Sequence, residues 1–492
     1  VISRVLVANR GEIAVRIVRA CHEVGIEAVA IYSDADRTAP HVLAADRAVP
    51  VGPAPAGDSY LNIPALLEAA RTTRCDAVHP GYGFLSQSAR FARACEDAGL
   101  VFVGPTSEVM ARMGSKIEAR RLMEEAGVRV VPGRTPVDQR EEALVATAKT
   151  VGWPLLVKAS AGGGGKGMRR VEAEDALKDA LASARREAEA AFGDGTLYFE
   201  RALDRPRHVE VQVLGDGEGQ AIHLFERECS MQRRHQKVIE ESPAPGLTAA
   251  LREEICDAAV RAARAVRYRG AGTVEFLVDH AAGSFYFLEM NTRLQVEHAV
   301  TELVLDVDLV RAQLAIAGGG PLPWRQDELA PRGHAIECRI YAEDPFNGFL
   351  PQAGRVLLYR PPLAPGIRFD SGIAEGAHVP VHYDPLLAKL VAHAETRDAA
   401  RRRAIQALRA AVILGVTTNV AFLLAMLEDE RFAAGTVDTT YLDEWESHAH
   451  PPPSLPPAAI AAGAWLHANR GAGRRAAEVT GSDPWMTIHG WR

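Results

Sequence analysis

Glu275 and Glu289 lie in two apolar-rich runs, 273–279 and 285–291, joined by a short glycine-containing connection. Such runs predict a β-hairpin, and a turn centred near Ala282 sets the two glutamates directly opposite one another. Side chains alternate along a strand, so Asn291 falls on the face of Glu289. Like charges facing each other across strands, with Cβ atoms about 4.5–5.5 Å apart, destabilise the pair. Two carboxylates and an amide on one face therefore want a cation. Oxygen ligands without Cys or His favour a hard ion, Mg²⁺ or Mn²⁺, over zinc. Ions of this kind keep waters and share substrate phosphates, which indicates nucleoside triphosphate chemistry. A merely solvated acidic hairpin is the alternative. The setting of Glu289 in F-Y-F-L-E-M, with Arg293, Gln295 and Glu297 following at alternate positions, favours the metal.

Cationic residues that could meet such phosphates lie upstream. The sequence S-K-I-E at 115–118 resembles a capping box opening a helix that ends at Gly127. Lys116 then occupies a first turn whose dipole disfavours a cation, so it is either a solvated surface lysine or a group holding an anion. Lys158 sits in a predicted strand, W-P-L-L-V-K-A-S, followed by A-G-G-G-G-K-G-M and a second strand, 168–171. A Walker A loop would lead from Lys-Ser/Thr straight into a helix, but here Lys166 is followed by Gly167 and a strand. A glycine-rich hairpin whose backbone N–H groups close over phosphates is the expectation, with a plain flexible loop as the alternative. The run 198–203 lies where such a lid would rejoin the body, with its backbone available to an adenine edge. Beyond it H-V-E-V-Q-V predicts a strand with His208, Glu210 and Gln212 on a cleft-facing side and Val209, Val211 and Val213 on the other.

The elements that must carry these groups begin with a βαβ unit. Residues 4–8 predict a strand, a helix runs to about Val24, Gly25 stops it, and 27–32 forms the next strand. Only Gly11 stands in the first turn, so a dinucleotide fingerprint is absent. Further parallel strands are expected at 76–79 and 101–103. The loop H-P-G-Y-G-F leaves the carboxyl end of its strand, where open α/β sheets bind ligands, and Tyr82 is either a substrate contact or a packed ring in a Gly-rich turn. Amphipathic helices are expected at 248–266 and 303–317, and a smaller α+β lobe from 333 to about 442. Its strands fall near 334–341, 355–360 and 388–393, its helices near 397–411 and 418–428. Asp384 is a candidate support for Arg339 or for an interface.

At 492 residues the chain has room for about three domains. A net charge of −7 argues against nucleic acid as a general partner. Six scattered cysteines without a C-x-x-C pair fit free, mostly buried thiols in a reducing compartment. No apolar run reaches transmembrane length and no signal-like segment is present. A cytoplasmic or organelle-matrix protein is expected, with no membrane partner; the start at Val1 without Met suggests a trimmed end.

Two strand-flanked lysines, the G-G-G-G-K-G-M lid, the acidic hairpin and L-E-M-N-T-R-L-Q-V-E-H together resemble the ATP-grasp superfamily. Within it, R-E-C-S-M-Q-R-R-H-Q-K (227–237) and 286–298 are similar to biotin carboxylase, over roughly residues 1–447. The resemblance implies an α/β and α+β fold: a Rossmann-like N-terminal domain (1–113), an ATP-grasp domain (114–330) with a lid near 131–203, and a C-terminal lobe (331–447). In that family ATP phosphorylates bicarbonate to carboxyphosphate, and the carboxyl group passes to N1′ of biotin. Matching positions imply Lys116, Lys158 and the lid Gly162, Gly163, Gly164, Gly165, Lys166 and Gly167 on the phosphates. Glu200 and Leu203 would meet adenine, and His208, Gln232, His235 and Gln236 would line the nucleotide pocket. Glu275 and Glu289 would hold two metal ions, with Asn291 assisting. Arg293 offers bicarbonate a planar fork of donors, Gln295 and the Val296 backbone complete its seat, and Lys237 is a bicarbonate or phosphate ligand. Glu297 resembles the general base. Arg339 would sit beside biotin and stabilise its enolate, with released phosphate as the base for N1′.

Residues 449–458 read as a semi-rigid Pro-rich linker. The ending D-P-W-M-T-I-H-G-W-R is similar to the region following this unit in acyl-CoA carboxylase α-subunits, as if the chain were part of a longer subunit that stops inside a following domain (448–492). A-M-L at 425–427 lacks the lysine of an M-K-M biotinylation motif, so biotin is expected on a separate carrier domain. Carboxyltransferase and a homodimer or larger complex are the other expected partners. The alternatives are another ATP-grasp carboxylate–amine ligase acting through an acyl phosphate, or a non-catalytic ATP-binding regulatory subunit.

Overall fold

Arg4–Val7, the first expected strand, lies inside a five-stranded parallel sheet ordered Arg47–Gly52, Glu27–Ser33, Arg4–Val7, Ala77–His79, Val101–Phe102. The computed structural model describes residues 2–160, 167–234 and 236–446, with 461 and 465; residues 1–448 form one compact unit and 449–492 another. The lid residues Gly162–Lys166, His235 and the Pro-rich stretch lie outside the described residues.

Strand order reverses direction at Arg4–Val7, so the loops leaving it and Ala77–His79 diverge and leave a crevice at the sheet's carboxyl end. Asn9 bridges those loops, its Nδ2 donating to the carbonyls of Pro80 and Tyr82 at 2.7 Å each. Gly81 has φ +61°, and a Cβ there would meet Asn9 and Ile13 at 3.0–3.1 Å, which is why the turn needs glycine.

An eight-stranded antiparallel sheet carries most of the candidate site. Its order is Ser284–Asn291, Arg269–Asp279, Arg207–Asp216, Ala221–Arg233, Gln236–Ser242, His334–Tyr341, Leu386–Ala394, Ile367–Ser371. Period-2 alternation gives it an apolar face of Val209, Val211, Val213, Val274, Phe276 and Val278. The helix Ala249–Ala265, N-capped by Thr248, packs Ile255, Ala258 and Ala262 into that face. Further along, Ile336, Cys338, Ile340 and Leu390 turn toward the helices Arg397–Ala410 and Val420–Glu428. The opposite face is left to the polar residues between them. This one sheet includes strands from both sides of the expected 330/331 boundary, joining Gln236–Ser242 to His334–Tyr341.

A separate four-stranded antiparallel sheet orders Gly133–Arg134, Leu197–Arg201, Leu155–Ala159 and Arg169–Val171. The helices Glu141–Val151 and Leu177–Phe192 contribute Leu144 and Leu181 to its core of Leu155, Val157 and Phe199.

The single helix expected at 303–317 is two helices, His298–Leu305 and Leu309–Ala317. Asp306 ends the first in the left-handed region at φ +57°, and the Asp308 side chain accepts from Arg311 N to cap the second. Asp at both positions supplies the stop and the cap that the apolar periodicity hides. All six cysteines are buried and unpaired, and no helix among the described residues is long and apolar enough to cross a membrane.

Candidate active site

The hairpin has the expected register: Glu275 pairs with Glu289 and Thr273 with Asn291, with a bulge just after Glu275. The two acids differ in surroundings. Glu275 is buried, accepts from Asn291 Nδ2 at 2.8 Å, Gln295 Nε2 at 3.0 Å and Lys237 Nζ at 2.9 Å, and lies 2.9 Å from His208 Nε2. Burial would raise its carboxyl, but Lys237 and His208 outweigh burial and hold it far below the usual carboxylate range. Burial likewise opposes charge on His208, yet Glu275 lifts that imidazole above its ordinary value. Glu289 is half-buried and carries no ion pair to a lysine or arginine among the described residues.

The donors of His208, Glu210 and Glu275 also lie close enough together for a metal, but Lys237 Nζ already bonds both carboxylates, at 2.5 Å to Glu210 and 2.9 Å to Glu275. The Glu275–Glu289–Asn291 edge offers oxygen donors, and its outer acid feels Lys116 and Arg293 without a direct ion pair to a lysine or arginine among the described residues. That donor chemistry fits a hard divalent ion.

Lys237 is the hub of the polar face. Besides Glu210 and Glu275, its ammonium donates to Glu297 Oε1 at 2.7 Å. Burial disfavours its charge, but the surrounding acidic groups raise its pKa well above that of an ordinary lysine. Arg227 shares Glu210 through Nε at 2.5 Å and fixes Gln212, Thr301 and Thr273 at 2.9–3.1 Å. Glu297, at the start of the helix His298–Leu305, receives Arg339 Nη2 on its other oxygen at 3.0 Å. Arg339 also pairs with Glu240 on the neighbouring strand. Burial would push Glu297 up; Lys237, Arg339 and Arg227 win and keep it well below the usual range.

Arg293 is half-buried, and its partial removal from water pulls its pKa down. It donates to Gln87 Oε1 at 2.9 Å, Leu294 O at 3.0 Å, Asn291 Oδ1 at 3.3 Å and, more closely, Gln295 Oε1. Gln232 Nε2 faces His208 Nδ1 at 3.3 Å, and Gln236 opens the strand that carries Lys237. Arg293, Gln295, Glu297, Lys237 and Arg339 are thus brought together with the acidic hairpin.

Lys116 begins the helix Lys116–Glu125, where burial and then Lys158 pull its ammonium below the ordinary value. Ser115 caps that helix through Glu118 N. Lys158 is ion-paired at 2.8 Å with Glu200, which also takes Arg120 at 3.2 Å. The Glu200 side chain is thus occupied by two cations. The strand Leu197–Arg201 pairs along its length with Leu155–Ala159 and at Phe199 and Glu200 with Gly133–Arg134, and Ala202 N bonds Pro154 O, with Leu203 just past its end. The Tyr82 ring packs against the apolar cluster holding Leu294 and Leu214. Asp384 accepts from Leu386 N rather than from Arg339.

Comparison with known proteins decides the family. Residues 1–110 match the biotin carboxylase N-terminal domain, 115–325 the carbamoyl-phosphate synthase L chain ATP-binding domain, and 337–444 the biotin carboxylase C-terminal domain. Over 444 residues, 90% of this chain and 98% of the relative, it is 50% identical to the biotin carboxylase of Allochromatium vinosum. The chain belongs to the biotin carboxylase family. It is an enzyme, an ATP-dependent carbon–nitrogen ligase with the ATP-grasp fold. The mitochondrial methylcrotonoyl-CoA carboxylase subunit alpha of Oryza sativa subsp. japonica is 50% identical over 447 residues, 91% of this chain but 61% of that subunit. The biotin carboxylase domain dimer of Hydrogenobacter thermophilus 2-oxoglutarate carboxylase, solved with MgADP, ADP and bicarbonate, superposes with a TM-score of 0.88 at 43% identity, covering 92% of this chain and 99% of that one.

Four buried groups of this biotin carboxylase were not singled out as site residues from the sequence. Glu210 was placed on the cleft-facing side of its strand, but its partner Arg227 lies on the neighbouring strand and declares nothing locally. Glu240 is one of two adjacent acids in the strand sequence V-I-E-E-S, and Lys389 is a lone charge inside the apolar L-L-A-K-L-V. A charge in such a run, buried and obliged to find a partner, is the signal that marks them.

Proposed function

We propose that this biotin carboxylase activates bicarbonate with MgATP as carboxyphosphate and transfers the carboxyl group to N1′ of biotin on a carrier domain. The observation that carries the reading is the Glu297 carboxylate shared between Lys237 and Arg339, next to the Arg293–Gln295–Val296 seat and the acidic hairpin. Glu275 and Glu289, assisted by Asn291, would hold two Mg²⁺ or Mn²⁺ ions. Bound there, the ions would neutralise the triphosphate charge that otherwise repels an anionic nucleophile.

The chain's own residues do the rest. Lys116 and Lys158, with the lid 162–167, hold the phosphates, and Leu203 with His208, Gln232, His235 and Gln236 lines the nucleotide pocket. Glu200 keeps Lys158 placed. Arg293, Gln295 and the Val296 backbone seat bicarbonate. Glu297 takes its proton as a bicarbonate oxygen bonds the γ-phosphorus and the bond from that phosphorus to the β–γ bridging oxygen breaks, releasing ADP. Lys237 balances charge on the transferred group. Carboxyphosphate then yields its carboxyl group, and its phosphate takes the N1′ proton while Arg339 stabilises the biotin enolate. Tyr82 borders the biotin side.

Glu297 cannot act as a base while two cations hold it. An arriving bicarbonate competes for Lys237 and Arg339, and losing part of their field raises the carboxylate's basicity as its substrate docks. Glu297→Gln should therefore abolish bicarbonate-dependent ADP release while MgATP binding persists in a calorimetric titration; unchanged turnover removes Glu297 from the mechanism.

Residues 1–113, 114–330 and 331–447 are read as the N-terminal, ATP-grasp and C-terminal domains. The rice relative's name, that of a mitochondrial acyl-CoA carboxylase subunit, supports a place in such a complex, where a carrier domain and carboxyltransferase would be the partners, in cytoplasm or mitochondrial matrix. The Hydrogenobacter dimer supports pairing of two copies.

A further inference from the structure

Lys389 stands directly opposite Arg339 on the adjacent antiparallel strand, so two cationic side chains leave the sheet side by side. Arg339 reaches the Glu297 carboxylate. Lys389 reaches the residue before it: its Nζ donates to the carbonyl of Val296 at 2.5 Å. The lysine side chain is 0% exposed. Glu12, from the helix Gly11–Glu23, and Glu337 lie 3.7 and 3.9 Å from the ammonium, and neither makes a hydrogen bond with it. A lysine buried only to offset those acids would aim its N–H groups at them. Here the hydrogen bond goes to a neutral main-chain oxygen of the catalytic segment, while, against burial, Glu12, Glu337 and Asp370 together raise the ammonium's pKa above that of an ordinary lysine.

We propose that Lys389 is a positioning residue for bicarbonate activation, anchoring the Val296–Glu297 peptide. That peptide is planar, so fixing the Val296 oxygen also fixes the Glu297 N–H and the Cα from which the Glu297 side chain springs. Arg339 locks the carboxylate end and Lys389 the backbone end of one residue. His298 Nδ1, 2.7 Å from Gln295 O, braces the neighbouring peptide. The inference rests on the reading in which 293–297 seats and deprotonates bicarbonate.

The test is Lys389→Met in the full chain, with two independent readouts. Loss of a charged hydrogen bond predicts a fall of roughly 10- to 100-fold in kcat/KM for bicarbonate, with MgATP affinity unchanged. Hydrogen exchange should accelerate at the amides of 294–298 but not along the strand Leu386–Ala394. Lys389→Arg, which keeps a donor and the charge, should recover part of both. If Lys389→Met does not fold, Glu12→Gln/Lys389→Met removes one acid left without its cation, and the same readouts apply. A variant with a lower Tm but unaltered kcat/KM for bicarbonate overturns the proposal, as does unaltered exchange at 294–298. Absence of bicarbonate-dependent ADP release from the unsubstituted chain would instead overturn the functional reading, while the exchange measurement still decides the Val296 anchor.

Discussion

Lys237 satisfies three buried carboxylates at once, and Arg339 two, so these two cations are shared rather than dedicated. Sharing makes the charges conditional. An anionic substrate that draws Lys237 away returns basicity to Glu297 and loosens Glu275 together. The same crowding leaves some acids short of counter-charge. Glu12 is pushed up to about 7 by burial, with Asp370 adding to the rise while Lys389, Arg368 and Arg16 pull it down. It thus binds its proton more tightly folded than unfolded. Its contribution to stability is complete below about pH 4.3, the unfolded value, and drains away as pH rises toward 7. Glu12→Gln, fixed in the uncharged form, should flatten the loss of unfolding free energy across that window by about 1.4 kcal/mol per pH unit, measured by urea denaturation. Glu275 and Glu297 have the opposite sign: their folded pKa values are depressed, so their contribution is present above about pH 4.3 and lost as pH falls below it.

Among the elements, the strand His334–Tyr341 has to hold Arg339 still, and its irregular pairing near Ile340 and Tyr341 leaves main-chain groups to be satisfied. Asn419 does this. Its Nδ2 donates to Arg339 O at 3.0 Å and its Oδ1 accepts from Tyr341 N at 2.9 Å. It stands at the N-cap of Val420–Glu428, yet its side chain caps nothing there. Asn419→Leu strands two buried polar groups and should cost about 2–5 kcal/mol in urea unfolding. No local pattern marks that role, since an Asn before an apolar helix reads as an ordinary cap. The hairpin register and the H-V-E-V-Q-V face were legible, because alternation fixes which residues share a side. The Lys158–Glu200 pairing was not, because it joins strands separated by a lid and a long helix. The break at Asp306 was hidden for a different reason: both halves of 303–317 keep an apolar stripe.

At the scale of the molecule, the family resemblance implied three domains. Nothing in the sequence announced that strands on either side of the expected 330/331 boundary share one sheet. The seam between Gln236–Ser242 and His334–Tyr341 is four residue pairs in register, Ile239 to Ser242 against Cys338 to Ala335. Glu240 and Arg339, which meet at the site, sit on its two sides. A chain divided near residue 330 would therefore be cut through a ladder rather than at a hinge. Each piece made alone would bare an unpaired strand rim, an invitation to stack with any other exposed strand and precipitate. Co-expressed, the two pieces should clip together through those main-chain bonds and elute as one species in gel filtration. The catalytic face would then be regenerated by non-covalent complementation.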